Sequence, residues 1–144
     1  MGQYFGADTP KLGFGLMRLP MLGDEIDIEQ TKRMVDTFMA KGFTYFDTAY
    51  KYCRGLSEPA LKAALVDRYP RESYTLATKL CAWMGAHDEE SAKQQFYTSL
   101  ERTGAGYFDY YLLHNLNRYI YATEVQDAHL FDHMKRWKEQ GKIR

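Results

Sequence analysis

Apolar positions along the chain fall into short clusters that switch between strand-like runs and helical spacing. The segment Lys11–Pro20 (KLGFGLMRLP) predicts a short strand, with its glycines marking close backbone approach. Ile28, Val35, Phe38 and Met39 then recur at helical spacing. Asp27 takes the N-cap, Gln30 three residues on makes a variant of the capping box, and Gly42 closes the helix at C′. The aromatic and β-branched run Phe43–Phe46, leading into Asp47, predicts a buried strand. Ser57 is read as the N-cap of a second helix carrying Leu61, Ala64 and Leu65, which must end before Pro70. The rhythm repeats with a strand at Tyr74–Lys79 and a helix introduced by the polar stretch His87–Glu90, carrying Ala92, Phe96 and Leu100 and broken by Gly104 and Gly106. A strand at Phe108–His114 follows. A last helix over Glu124–Gln140 presents Leu130, Met134 and Trp137 on one face, with Gly141 as its C-cap, and Lys142–Arg144 opens a further element.

Four strand–helix units, about 30–35 residues apart, predict parallel strands joined by crossover helices, hence an α/β architecture. No low-complexity linker divides the 144 residues. Composition narrows the function classes. A hydrophobic content of 45% with balanced charge (19 basic, 19 acidic) excludes intrinsic disorder, and supplies no field for nucleic acid or an anionic membrane. Two cysteines, Cys53 and Cys81, are too few for a disulfide scaffold and have no CxxC spacing, which favours a reducing compartment. No apolar run approaches the roughly 20 residues that span a bilayer, and the N-terminus lacks the layout of a signal peptide. The expectation is a soluble, cytoplasmic protein.

The chemistry concentrates where strands end. The second strand ends in Asp47, with Tyr52 five residues later; the third ends in Lys79; the fourth ends in His114. C-terminal strand ends line the functional face of parallel α/β folds, so these four side chains are expected to converge. Taken singly, each has an ordinary structural role: a cap, a solvated amine, aromatic packing. Together they form an acid–base group. A phenol titrates near ~10, too high for an ideal acid at neutral pH, and a neighbouring ammonium lowers that value. Asp47 would hold Lys79 charged, and His114 could fix a substrate carbonyl oxygen within reach of the Tyr52 proton. No Ser or Cys has an evident His partner, so nucleophilic catalysis is not indicated.

The segments Gly13–Pro20 (GFGLMRLP), Tyr45–Glu58 (YFDTAYKYCRGLSE), Leu76–Leu80 (LATKL), Tyr107–Leu116 (YFDYYLLHNL) and Gly141–Arg144 (GKIR) together resemble the aldo-keto reductase family, in order and at family spacing. The resemblance implies a (β/α)8 TIM barrel of which about the first four β/α units are present. It also implies reduction of an aldehyde or ketone with NADPH, NADH being the alternative. Asp47, Tyr52, Lys79 and His114 match the family's catalytic tetrad. Tyr50 is a nearby decoy that the spacing disfavours. Met17 and Arg18, with Asp47, match positions near the cofactor, and Trp83 follows the Lys79 strand as a pocket or packing residue. The resemblance is nearest the bacterial branch whose members often carry a C-terminal iron–sulfur extension, so a cluster is implied only where such an extension exists.

The same resemblance makes length the main departure. Eight units are needed, and the absent half ordinarily supplies most contacts to the cofactor's adenosine and phosphates. The expectation is a fragment of a longer gene product; a half-barrel persisting alone would be expected to bury its two sheet edges in a homodimer. Two rival functions stand beside carbonyl reduction: a catalytically silent binding or regulatory module on the same fold, and a metal-dependent hydrolase using His114 and Asp47. Gly13-Phe14-Gly15 is not a dinucleotide fingerprint, because Arg18 stands where the third glycine would fall. His129 and His133 are one helical turn apart, but Leu130 breaks the HExxH pattern, so they are read as exposed helix histidines. Cys53 and Cys81 are read as inert thiols near the pocket.

Overall fold

The computed structural model describes residues 10–144 apart from 87 and 127. In chain order the elements are β1 (Gly13–Gly15), a small hairpin of β2 (Met21–Leu22) and β3 (Glu25–Ile26), α1 (Ile28–Ala40) and β4 (Tyr45–Asp47). Next come α2 (Ser57–Leu61), continued by a π-helical turn over Lys62–Val66, then β5 (Thr75–Leu80), α3 (Glu89–Thr103), β6 (Tyr110–Leu113), the short α4 (Arg118–Ile120) and α5 (Leu130–Glu139). One sheet runs β1-β4-β5-β6, every neighbouring pair parallel, as the alternating pattern predicts. Beyond β6, Ile143 makes a parallel bridge to Phe108, so Lys142–Arg144 opens a further parallel element as anticipated.

Local rules account for much of this. Asp27 caps α1 by accepting from the Gln30 amide at 2.8 Å. The reciprocal half of the expected box is absent: the Gln30 side chain accepts from Arg33, and the Asp27 amide donates to Pro20 O at 2.9 Å. Asp88 and Ser91 form a complete capping box at α3, which ends on Gly104 at φ 63°. The start of that helix as predicted from His87 lies outside the described residues.

Three expectations change. The predicted strand over Lys11–Pro20 pairs only at Gly13–Gly15, and the β2–β3 hairpin, too short to show a period, follows it. Ser57 is not a cap. Leu56 holds the N-cap position, while the buried Ser57 hydroxyl donates to Leu16 O at 3.0 Å, a carbonyl past β1 that the Cys53 thiol approaches only at 3.7 Å, and lies 2.8 Å from Thr48 Oγ1. The predicted helix Glu124–Gln140 is interrupted: a π-helical turn occupies Tyr121–Val125, His129 is left-handed at φ 48°, and α5 starts only at Leu130.

The two faces of the sheet divide the work. Phe46, Leu76, Thr78, Leu80 and Tyr111 are buried on the side covered by helices. Phe38 of α1 meets Phe46 edge-on at 5.2 Å. Phe96 of α3 meets Tyr111 edge-on at 5.0 Å and stacks flat on Trp137 of α5 at 3.8 Å. Burying rings of this size contributes roughly 1.5–3 kcal/mol each and fixes the helices against the strands. The opposite face carries Gly15, Asp47, Ala77, Lys79 and Leu112, which alternate with the buried set and register across the strands.

Candidate active site

Strand register places the polar residues in a staircase. Asp47 pairs with Ala77, two residues before Lys79; Lys79 pairs with Leu112, two residues before His114. Each step is even, so all three side chains leave the same face, and the stagger is what strand tilt in a closed barrel brings to a common level. Lys79 Nζ donates to Asp47 Oδ1 at 2.5 Å and to Thr48 O at 2.7 Å, with only 11% of its side chain exposed.

Tyr52 arrives from the loop after β4. Its amide donates to Ala49 O at 3.1 Å, and the chain then takes three left-handed residues, Cys53 (φ 50°), Arg54 (φ 58°) and Gly55 (φ 88°). Two of these are not glycine, a strain of order 1–3 kcal/mol each. Surrounding contacts hold it: Cys53 Sγ faces Met17 O at 3.5 Å, and Arg54 pairs with Asp24 at 3.0 Å. The result sets Lys79 Nζ 4.8 Å from the Tyr52 ring centroid and the Tyr52 ring edge-on to His114 at 5.4 Å. Tyr50, the decoy, instead lies under the Arg102 guanidinium at 4.5 Å. Tyr45 shares the face of Asp47, but burial, and then the Asp47 charge, push its phenol up to about 12, which keeps it protonated.

His114 is half-buried. Burial, followed by the charges of Lys79 and Lys51, lowers its pKa, so the imidazole is neutral at physiological pH. Its Nδ1 lies 3.1 Å from Cys81 Sγ, and Trp83 meets its ring at 5.0 Å. Trp83 therefore borders this site, and Lys51 Nζ lies 5.5 Å over its ring. Burial pushes the Cys81 thiol up to about 11, against the opposing pull of the Lys51 amide and charge. Met17 and Arg18, just past β1, are both exposed; they adjoin Asp47 through the Leu16 amide, which donates to Asp47 O at 2.9 Å.

Two functional-looking contacts escaped the sequence. Cys81 was legible as an inert thiol near the pocket, but its contact with His114 was not, because that partner is 33 residues away. Glu58 gave no signal, yet its side chain is fully buried, accepting from Thr78 Oγ1 at 2.8 Å with Arg102 3.8 Å distant. The histidine pair needs correction: His133 is buried, not exposed, and faces Glu89 Oε1 at 3.1 Å, because α5 turns that side toward α3. Among the described residues no group of three or more His, Cys, Asp or Glu is arranged to hold a metal ion, and no helix is long and apolar enough to cross a membrane.

Parallel strands in chain order, helices on one side and polar residues at the C-terminal ends of the other define the first half of an α/β TIM barrel. The chain belongs to the aldo/keto reductase family, whose family model matches residues 11–144. An aldo-keto reductase of Mycolicibacterium smegmatis is 30% identical over 143 residues, covering 96% of this chain and 45% of that protein. A methylglyoxal reductase of Yersinia pestis is 31% identical over 145 residues, covering 98% and 45%. Among solved structures, a thermostable aldo-keto reductase in complex with the inhibitor epalrestat superposes with TM-score 0.75 at 25% identity, over 94% of this chain and 47% of its own. The Klebsiella pneumoniae aldo/keto reductase solved with NADP and acetate gives 0.71 at 25% identity, over 94% and 44%. The chain thus spans about 45% of the length of the curated relatives it matches.

Proposed function

We propose that this chain carries the proton-donating centre of a nicotinamide-dependent carbonyl reductase acting on an aldehyde or ketone. The observation that carries the reading is the position of Lys79 Nζ, bonded to Asp47 and 4.8 Å from the Tyr52 ring, with neutral His114 on that ring's edge. A carbonyl oxygen held by His114 and the Tyr52 hydroxyl receives its proton from Tyr52. The negative charge left on the phenol oxygen lies beside the Lys79 ammonium, and Asp47 keeps that ammonium in place.

The residues present suit a nicotinamide cofactor. An exposed thioether (Met17) and a guanidinium (Arg18) follow Leu16, whose amide donates to Asp47 O at 2.9 Å, and Gly15, in register with Asp47, has no atom within 4 Å of where a Cβ would stand. In this reading Met17, Arg18 and Asp47 help to hold NADPH, the cofactor class present as NADP in the Klebsiella relative. When bound, the cofactor supplies the hydride. The rest of the barrel, in relatives twice this length, completes the site.

The test is Tyr52→Phe beside Tyr50→Phe in the protein that carries this chain. Tyr52→Phe should abolish NADPH-dependent carbonyl reduction with cofactor binding retained, whereas Tyr50→Phe should stay within a few-fold of wild type. Unchanged turnover in Tyr52→Phe would remove the role assigned to it. Cofactor binding without turnover in the unmodified protein would instead favour a silent binding module.

A further inference from the structure

Three protein groups surround the His114 ring. Tyr52 and Trp83 meet it edge-on or nearly so, at 5.4 and 5.0 Å, and Cys81 Sγ lies 3.1 Å from Nδ1. Among the described residues Nε2 has no hydrogen-bond partner. Cys81 itself is held with unusual care for a residue just past a strand: its amide donates to Gln95 Oε1 at 2.5 Å, and its carbonyl accepts from Gln95 Nε2 at 3.3 Å. Both residues are buried, Cys81 completely and Gln95 to within 5%. A side chain of α3 therefore fixes the backbone that aims the sulfur at the imidazole.

The proton inventory gives this arrangement a direction. A neutral imidazole has one N–H and one acceptor nitrogen, and the partner of one decides the chemistry of the other. The Cys81 thiol remains protonated at neutral pH and has one hydrogen to give, toward the Nδ1 that faces it. Nδ1 is then the acceptor, and the ring proton resides on Nε2, the nitrogen without a partner among the described residues. An imidazole in this state can donate to a carbonyl oxygen; the other tautomer would present a lone pair to it and repel it.

We propose that Cys81, clamped by Gln95, is a positioning residue that locks His114 in the Nε2–H tautomer and so makes it a hydrogen-bond donor to the substrate carbonyl. The proposal rests on the carbonyl-reductase reading for its use, but its physical content is a tautomer, which is read without turnover.

The experiment is 15N NMR of the imidazole nitrogens, at about pH 8 where His114 is neutral. It uses the protein carrying this chain as wild type, Cys81→Ser and Cys81→Ala, with thermal unfolding as the folding control. The expected wild-type spectrum has Nδ1 at a pyridine-type and Nε2 at a pyrrole-type shift. Cys81→Ser, which keeps a donor, should preserve this; Cys81→Ala should lower the Nε2–H to Nδ1–H ratio about fivefold, the equivalent of one ordinary hydrogen bond. In turnover the same loss should appear in kcat, with KM for NADPH unchanged and activity recovered by the serine. A wild-type spectrum with the proton on Nδ1, or an unchanged ratio in folded Cys81→Ala, overturns the proposal. Failure of the reductase reading would show separately, as full activity in Tyr52→Phe.

Discussion

Lys79→Met separates a catalytic lysine from a merely structural one, because the structure assigns different magnitudes to the two. The substitution keeps much of the aliphatic stem and deletes an ammonium that makes two charge-assisted hydrogen bonds, to Asp47 at 2.5 Å and Thr48 O at 2.7 Å. Such bonds contribute about 1.5–3 kcal/mol each when the abandoned partner stays dry. For Asp47 it does not, since 29% of its side chain reaches solvent and water can replace the lost donor; the Thr48 carbonyl belongs to a fully buried residue and keeps its cost, so a net destabilisation of about 1.5–3 kcal/mol is expected. The effect on the proposed proton transfer is not softened in that way, because the same ammonium lies 4.8 Å from the ring of Tyr52, the phenol that takes up negative charge in the proposed mechanism. Loss of a positioned acid's support should cost about 10²–10⁴ in kcat/KM, equivalent to roughly 3–5 kcal/mol in the barrier. The assay is consumption of reduced nicotinamide with a simple aldehyde, run beside urea denaturation of the same preparation. A fall in kcat/KM of less than tenfold in a folded variant would refute the role given to Lys79. So would a fall fully accounted for by the unfolded fraction.

Two further outcomes test the scaffold. Burial raises the Glu58 carboxyl above its ordinary 4.5, opposed by Ser99, Thr78 and Arg102. The native state therefore holds that proton to higher pH than the unfolded chain, and the stability it contributes is complete below about pH 4.5 and lost as pH rises through the native value. Glu58→Gln should flatten this dependence, by at most about 1.4 kcal/mol per pH unit, in denaturation series run across acid and neutral pH; parallel curves for the two proteins would contradict it. Arg71 donates to the carbonyls of Ala105, Tyr74 and Tyr107 and to Asp109 Oδ2 at 2.6 Å, with 17% of its side chain exposed and its guanidinium 3.8 Å from the Tyr107 ring. Arg71→Ala should cost about 3–5 kcal/mol in denaturant unfolding, and Arg71→Lys most of that, since one ammonium cannot serve four acceptors; a loss under about 1 kcal/mol would refute the network's role.

What the sequence by itself determined is what short-range rules govern. Alternation of apolar runs and helical spacing predicted four parallel units, and Asp27 and Gly104 end their helices as their chemistry requires. Asp47, Lys79 and His114 were legible because each stands at, or within one residue of, the C-terminal end of a strand. Side chains alternate along a strand, so a residue's face is decided within a few positions. Tertiary structure decided everything that depends on register and loop path. The two-residue stagger between β4, β5 and β6 makes three strand ends into one site, and the left-handed turn at Cys53–Gly55 brings Tyr52 rather than Tyr50 against Lys79. Ser57 left its expected cap for the Leu16 carbonyl, His133 turned inward to Glu89, and Cys81 met His114. Each of these pairs residues 33 or more apart in the chain. A pattern read locally specifies which groups are available, and only the packed sheet specifies which of them touch.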